Sequence, residues 1–218
     1  MGSGRGSRRV NVVIMTAPPR DTTSLKASLA GANIVEAVDT QHRGSFWNAI
    51  TAFAIGVDTG GPFTILQDDI LVCRDFVSYV ERLLPTIEVQ EWIVNWFNVT
   101  KPVQPTVNPV LVWCEPREFY YSQAVTYSSW SARRIYEFLV NEARPEKDDR
   151  GQNHGDDQWI RAALEQFREP YLSHLPSLVQ HTGQESMVAP GMKLSDHQRV
   201  SRNFIGTDFD VMKWPRII

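Results

Sequence analysis

From Val10 to Met15 the chain is uninterruptedly apolar or β-branched apart from Asn11, and it breaks at Pro18 and Pro19. A short run bounded by prolines predicts a buried strand that ends in a loop. Residues 22–32 carry Leu25 and Leu29 at helical spacing, with Gly31 as a stop. The stretch NIVEAVDT predicts a second strand ending at Asp39, and SFWNAITAFAIG a helix opened by Ser45 and stopped by Gly56. PFTILQDDILV, residues 62–72, reads as the next strand. RDFVSYVERLLP then places Phe76, Val77, Val80, Leu83 and Leu84 on one helical face. The resulting βαβαβα order predicts an α/β fold, a mostly parallel central sheet flanked by helices.

Beyond residue 90 the pattern loosens. EWIVNWFNV predicts a strand, while residues 101–119 hold four prolines and predict an extended connection rather than a helix. SSWSARRIYEFLVNEA is a helix with Ile135, Phe138 and Leu139 inward, and RPEKDDRGQNHG is a polar loop. DDQWIRAALEQF is amphipathic, with Trp159, Ile160, Ala163, Leu164 and Phe167 on its apolar side. From Ser173 onward the chain reads as irregular, and no repeat is present.

With 218 residues, 42% hydrophobic and 22% charged, the chain suits one globular domain over residues 10–218, preceded by a flexible basic tail, 1–9, that holds Arg5, Arg8 and Arg9. A net charge of −3 argues against wholesale electrostatic binding to nucleic acid; a local basic patch stays open. Cys73 and Cys114 stand in dissimilar contexts, so neither a disulfide scaffold nor a zinc site is suggested, and a cytoplasmic, reducing compartment is expected. No window approaches the length of a membrane span, and no obligate protein partner is evident.

Candidate chemistry begins at Asp68 and Asp69. Two adjacent carboxylates beside an apolar run repel each other and lose hydration, so they need a cation or a water-filled cleft. An ordinary turn is the plain alternative, but Gly or Asn would be expected there. In an open α/β sheet, ligands bind beyond the carboxyl ends of the strands. That rule puts Thr16 to Arg20, Asp39 and the Gln67-Asp68-Asp69 turn on one rim. A second acidic pair, Asp156 and Asp157, precedes a helix; capping accounts for one, and the other is available as a general base. His181, after a short apolar run, is a candidate strand-end imidazole, and imidazole with carboxylates suits Mn2+.

In order, TAPPR, QDD, SQAVTYSSWSARRI, GDDQW and LVQHTGQES resemble the GT-A-fold glycosyltransferases, enzymes that transfer sugars from nucleotide-sugar donors. The resemblance spans residues 10–206. It implies a single Rossmann-like domain, with a nucleotide-binding half (10–100) and an acceptor and metal-completing half (101–218). It also implies a divalent cation, Mn2+ or Mg2+, held by Asp69 with Asp68 in support and completed by His181. Thr16, Pro18 and Arg20 match the loop around the nucleobase, and Asp39 a second-strand contact to it. Gln67 stands where the family usually has an acid, which leaves its amide for the ribose of a UDP-linked donor. Ser122 and Gln123 replace glycines of the loop near the donor sugar. Asp157 matches the catalytic base, with Asp156 capping the helix.

Small stand-alone chains of this build resemble bacteriophage enzymes that glycosylate hydroxymethylated pyrimidines, such as 5-hydroxymethylcytosine, in DNA. On that reading Arg5, Arg8, Arg9, Lys101, Arg117, Arg133 and Arg134 are the cations near the rim, and Trp130 or Tyr127 stacks a base. A protein or polysaccharide acceptor, a non-catalytic sugar-nucleotide or glycan binder, and a two-metal phosphohydrolase are the competing readings.

Overall fold

The computed structural model describes residues 9–99, 108–143, 155–183 and 200–214. β1 (Asn11–Thr16), α1 (Thr23–Ser28), β2 (Asn33–Val38), α2 (Ser45–Asp58), β3 (Phe63–Gln67) and α3 (Phe76–Leu83) follow the expected alternation. β1 lies between β2 and β3 and is parallel to both, with Thr16 opposite Val38 and Met15 opposite Gln67. The carboxyl ends of all three strands therefore open on one rim.

The remaining sheet strands are β5 (Ile93–Asn95), β6 (Val110–Cys114), β7 (Ala124–Tyr127) and β8 (Tyr171–Leu175), separated from Asp69 by the short β4 (Ile70–Val72). The seven-stranded sheet has the order β2-β1-β3-β7-β5-β8-β6. β7 runs antiparallel to β3 and β5, β6 runs antiparallel to β8, and every other pairing is parallel. Five strands thus share one direction, and the fold is α/β. Among the described residues β5 pairs with β7 and β8, so the sheet interleaves strands from both halves of the chain.

Side chains alternate across the sheet as its period of two requires. Val12 and Ile14 of β1 enter the core with Leu25, Leu29 and α3, whereas Val13 and Met15 enter the core built on α2, α4 (Ser129–Asn141) and α5 (Asp156–Phe167). Gly31 (φ 97°) follows α1 in a left-handed conformation that favours glycine, in keeping with its expected place as a stop.

Three expectations need correction. The strand foreseen over residues 62–72 is two strands, because the chain turns at Asp68-Asp69 and β4 leaves the main sheet to pair with β9 (Val179–His181). Gly56 does not stop α2, which continues to Asp58; a β-carbon at Gly56 would lie 2.1 Å from the Phe63 ring, so glycine serves helix-to-strand contact. The chain from Ser173 is not wholly irregular, since it completes β8 and forms β9. The expected connection over 101–119 also contains edge strand β6; residues 101–107 of it, the 1–8 part of the tail and most of the loop over 144–155 lie outside the described residues.

Candidate active site

The acidic turn is assembled by the second, two-stranded sheet. β4 and β9 are antiparallel with Ile70 opposite His181, which sets the imidazole beside the residue preceding Ile70. His181 Nε2 lies 3.1 Å from Asp69 Oδ2. The backbone N–H of Gly183 donates to His181 Nδ1 at 2.9 Å; that nitrogen is the acceptor, so Nε2 carries the proton and donates to Asp69. Asp69 is buried, as is His181.

Arg20, expected at a nucleobase, reaches the same turn. Its Nη1 is 3.4 Å from Asp68 Oδ1 and 3.4 Å from Asp69 Oδ2. The cation that two adjacent acids at the end of an apolar strand require is thus present within the chain. Burial raises the Asp68 carboxyl above its ordinary value, an effect opposed by the Thr16 hydroxyl and Arg20 and reinforced by Asp69.

The rest of the rim is built from backbone at strand ends. Thr16 is buried, and its carbonyl accepts from the Asp39 amide at 2.9 Å and from Asn48 Nδ2 at 3.0 Å. Asp39 Oδ2 accepts from the Gly44 amide at 2.8 Å, which fastens the start of α2 to the end of β2. Pro18 is exposed at the loop's crest.

The start of α5 closes the rim from the other side. β7 runs antiparallel to β3, so Ser122 and Gln123, just before it, meet the end of β3: the Gln67 amide donates to the Gln123 carbonyl at 2.9 Å. Asp156 is not a cap. Gly155 holds the N-cap position, and the buried Asp156 carboxylate faces inward, accepting from the Ser122 hydroxyl and lying 3.5 Å from Gln67 Nε2. Burial, with the neighbouring Asp157 charge, pushes its pKa up to about 6. Asp157 is half-buried, and its Oδ1 accepts from the Gln158 amide at 2.9 Å. Gln67 therefore contacts Asp156 rather than completing a third acid of the turn. Gln123 Oε1 is buried and has no hydrogen-bond partner among the described residues.

Three participants carried no sequence signal as site residues. Asn48 braces Thr16; Ser45 Oγ accepts from the Asp156 amide at 3.4 Å; Gly155 leaves room for Asp157, whose Oδ1 would lie 2.7 Å from an added β-carbon. Only Ser45 was visible as a helix start.

Among the described residues no three His, Cys, Asp or Glu side chains are grouped closely enough to hold a metal ion by themselves. Asp69 and His181 do form an adjacent oxygen and nitrogen pair, a donor set that suits Mn2+. Ions of the Mg2+ type are commonly held by one or two protein ligands together with substrate phosphates. The residues fit such an ion, provided that it takes the place of the hydrogen bond between them.

Arg133 and Arg134, two of the cations assigned to a DNA acceptor, are not at this rim. Phe63, at the amino end of β3, is opposite Tyr127, so α4 starts on the far side of the sheet, a strand length of roughly 13 Å from the acidic turn. Arg133 and Arg134 line a cavity there with Pro62, Trp92 and Trp130. Arg134 is engaged by Glu91 at 3.6 Å and Glu169 at 3.4 Å and covers a face of Trp130. Tyr127 cannot stack on a base, being buried between Phe53 and Phe63. Arg9 is exposed, and Arg5, Arg8 and Lys101 lie outside the described residues. Among the described residues no helix is long and apolar enough to cross a membrane.

No protein-family model matches the chain, and no curated protein matches it. Among solved structures, the chain is similar to a candidate glucose-1-phosphate thymidylyltransferase from Bacillus anthracis, solved in complex with a sucrose: 13% identity, 79% of this chain and 70% of that one covered, TM-score 0.44. At that distance the likeness does not bear on chemistry.

Proposed function

We propose that the chain is a glycosyltransferase that moves a sugar from a nucleotide-sugar donor to an acceptor hydroxyl. The observation that carries the reading is the buried Asp69, pinned against His181 by the β4–β9 ladder at the carboxyl rim, where open α/β sheets bind ligands.

On this reading Asp69 and His181 hold a divalent ion, with Asp68 in support. The bound ion supplies charge stabilisation to the diphosphate as it leaves. Thr16 to Arg20 and Asp39 surround the nucleotide, and Gln123 Oε1 offers an unused acceptor to the donor. Asp157 takes the proton of the acceptor hydroxyl as its oxygen bonds to the anomeric carbon and the bond from that carbon to the diphosphate breaks. Asp157 suits this better than Asp156, whose carboxylate is 5% exposed as a residue and already engaged by Ser122. The acceptor to be tried first is a hydroxymethylated pyrimidine in DNA, then a protein or glycan.

The test incubates the protein with labelled nucleotide sugars and Mn2+ against hydroxymethylated DNA, plain DNA and glycans. Label on any acceptor supports the transferase. Donor binding without transfer or hydrolysis points to a sugar-nucleotide binder, and phosphoester cleavage without sugar transfer to a phosphohydrolase.

A further inference from the structure

Arg20 occupies an unusual position for a residue of a nucleotide loop. It follows two prolines, its amide donates to the Ala17 carbonyl at 3.1 Å, and its side chain turns inward until only 8% is exposed. There it meets one carboxylate oxygen of each acid. A guanidinium keeps its charge in any protein setting and is more weakly hydrated than an ammonium, so it can be buried beside carboxylates at lower cost. Asp69 Oδ2 is the meeting point: it faces Arg20 at 3.4 Å and His181 at 3.1 Å. Any added cation that binds Asp69 through this oxygen must compete with the guanidinium already beside it.

We propose that Arg20 is the resident counter-ion of Asp68 and Asp69, that it competes with the divalent cation in the free chain, and that it turns to the donor's diphosphate once the cation is in place. The proposal rests on the reading of this rim as a nucleotide-sugar site. Charge explains the order of events. With His181 neutral, two carboxylates and one guanidinium leave a net negative rim, which repels a diphosphate. A divalent ion reverses the sign and repels Arg20 from the acids. The released fork then matches the geometry of phosphate oxygens, which it can bind in pairs. Cation and donor consequently favour each other's binding by the same factor, as linkage demands, and Arg20 offsets part of the acids' charge when neither is bound.

The test titrates Mn2+ alone, and then Mn2+ with UDP, into the full chain, reading free Mn2+ by its EPR signal. Without UDP, Arg20→Gln should hold Mn2+ about tenfold or more tighter than wild type, because an opposing charge is gone. At saturating Mn2+, the same variant should bind UDP about tenfold more weakly, having lost a charged contact to phosphate; Arg20→Lys should fall between. Should Arg20→Gln bind Mn2+ no tighter than wild type, the competition is overturned and the cation reading stands. Should neither protein bind Mn2+, with UDP or without, both fall. A second measurement needs no variant: phenylglyoxal labelling of Arg20 in the wild-type chain, read by mass spectrometry, should accelerate with Mn2+ and slow again when UDP is added. Labelling that Mn2+ leaves unchanged overturns the proposal.

Discussion

The amide of Thr182 donates to the carbonyl oxygen of Asp69 at 2.8 Å, one step beyond the pairing of Ile70 with His181. Backbone bonds therefore hold the two residues side by side, which keeps the imidazole within reach of the acid.

Asp69→Asn should abolish Mn2+-dependent binding of UDP and with it sugar transfer, since it removes the charge that Arg20 and His181 both face. Calorimetry with UDP in Mn2+ and in EDTA checks this. Equal affinity in EDTA, or full activity in the variant, would refute the assignment.

Asp157→Asn should lower turnover by about 10² to 10⁴ with donor affinity retained, the usual effect of removing a general base. Gly155→Ala should act on the same carboxylate from behind. The backbone there (φ −69°, ψ 167°) accepts any residue, but the new β-carbon would lie 2.7 Å from Asp157 Oδ1 and displace it. A smaller loss of turnover with an unchanged melting temperature is expected; normal kinetics in both variants would remove Asp157 from the mechanism.

Asp156 should make the fold less stable as pH rises. Its carboxyl titrates at about 6 in the folded chain against an ordinary 3.8, so the folded state binds more protons between those values and stability falls as pH climbs through them. Asp156→Asn should melt higher than wild type at pH 7 and alike at pH 4, since Ser122 can still donate to the new amide's oxygen. A variant that melts lower at pH 7 would contradict this.

His174 should act in the opposite sense. It is buried, Tyr79 Oη lies 2.8 Å from its Nε2, Pro176 O lies 2.7 Å from its Nδ1, and burial lowers its pKa to about 4 from 6.5. The unfolded chain then binds more protons between pH 6.5 and 4, so the stability present above 6.5 is lost on acidification. In the Asp156→Asn background this acid loss should stand uncovered, giving a steeper fall in melting temperature from pH 7 to 4.5 than in wild type. Tyr79→Phe leaves Nε2 without its donor and should cost about 1–3 kcal/mol in chemical denaturation.

β1 and β3 were legible because Val10 to Met15 apart from Asn11, and Phe63 to Leu66 apart from Thr64, are apolar, as parallel strands covered on both faces tend to be. The rim residues Thr16, Asp39 and Gln67 followed from the strand ends alone. β8 was not legible because Ser173 and His174 interrupt its apolar run, although both are buried and bonded, Ser173 to Asn98 at 2.9 Å and His174 to Tyr79. The roles within the second acidic pair could not be assigned either. Helix-start statistics favour a cap, whereas the inward turn of Asp156 depends on Ser122 and Gln67, which are 34 and 89 residues away. Arg133 and Arg134 were misplaced because their side of the sheet is set by the direction of β7, which a single sequence does not announce.

The same interleaving dictates an order of events at the ribosome. Asp69 and His181 are separated by 112 residues, and β7, the strand that joins β3 to β5, is synthesised after β5. A nascent chain that has released β5 can pair its first three strands but has no neighbour yet for the fourth of the main sheet, and its acidic turn lacks the imidazole that faces Asp69. The imidazole arrives only when nearly all the described chain has emerged. Long-range pairing of this kind is slow to form, so the acidic rim is among the last parts of the molecule to mature, and a polypeptide released before residue 179 would carry the acidic turn without the histidine that faces Asp69.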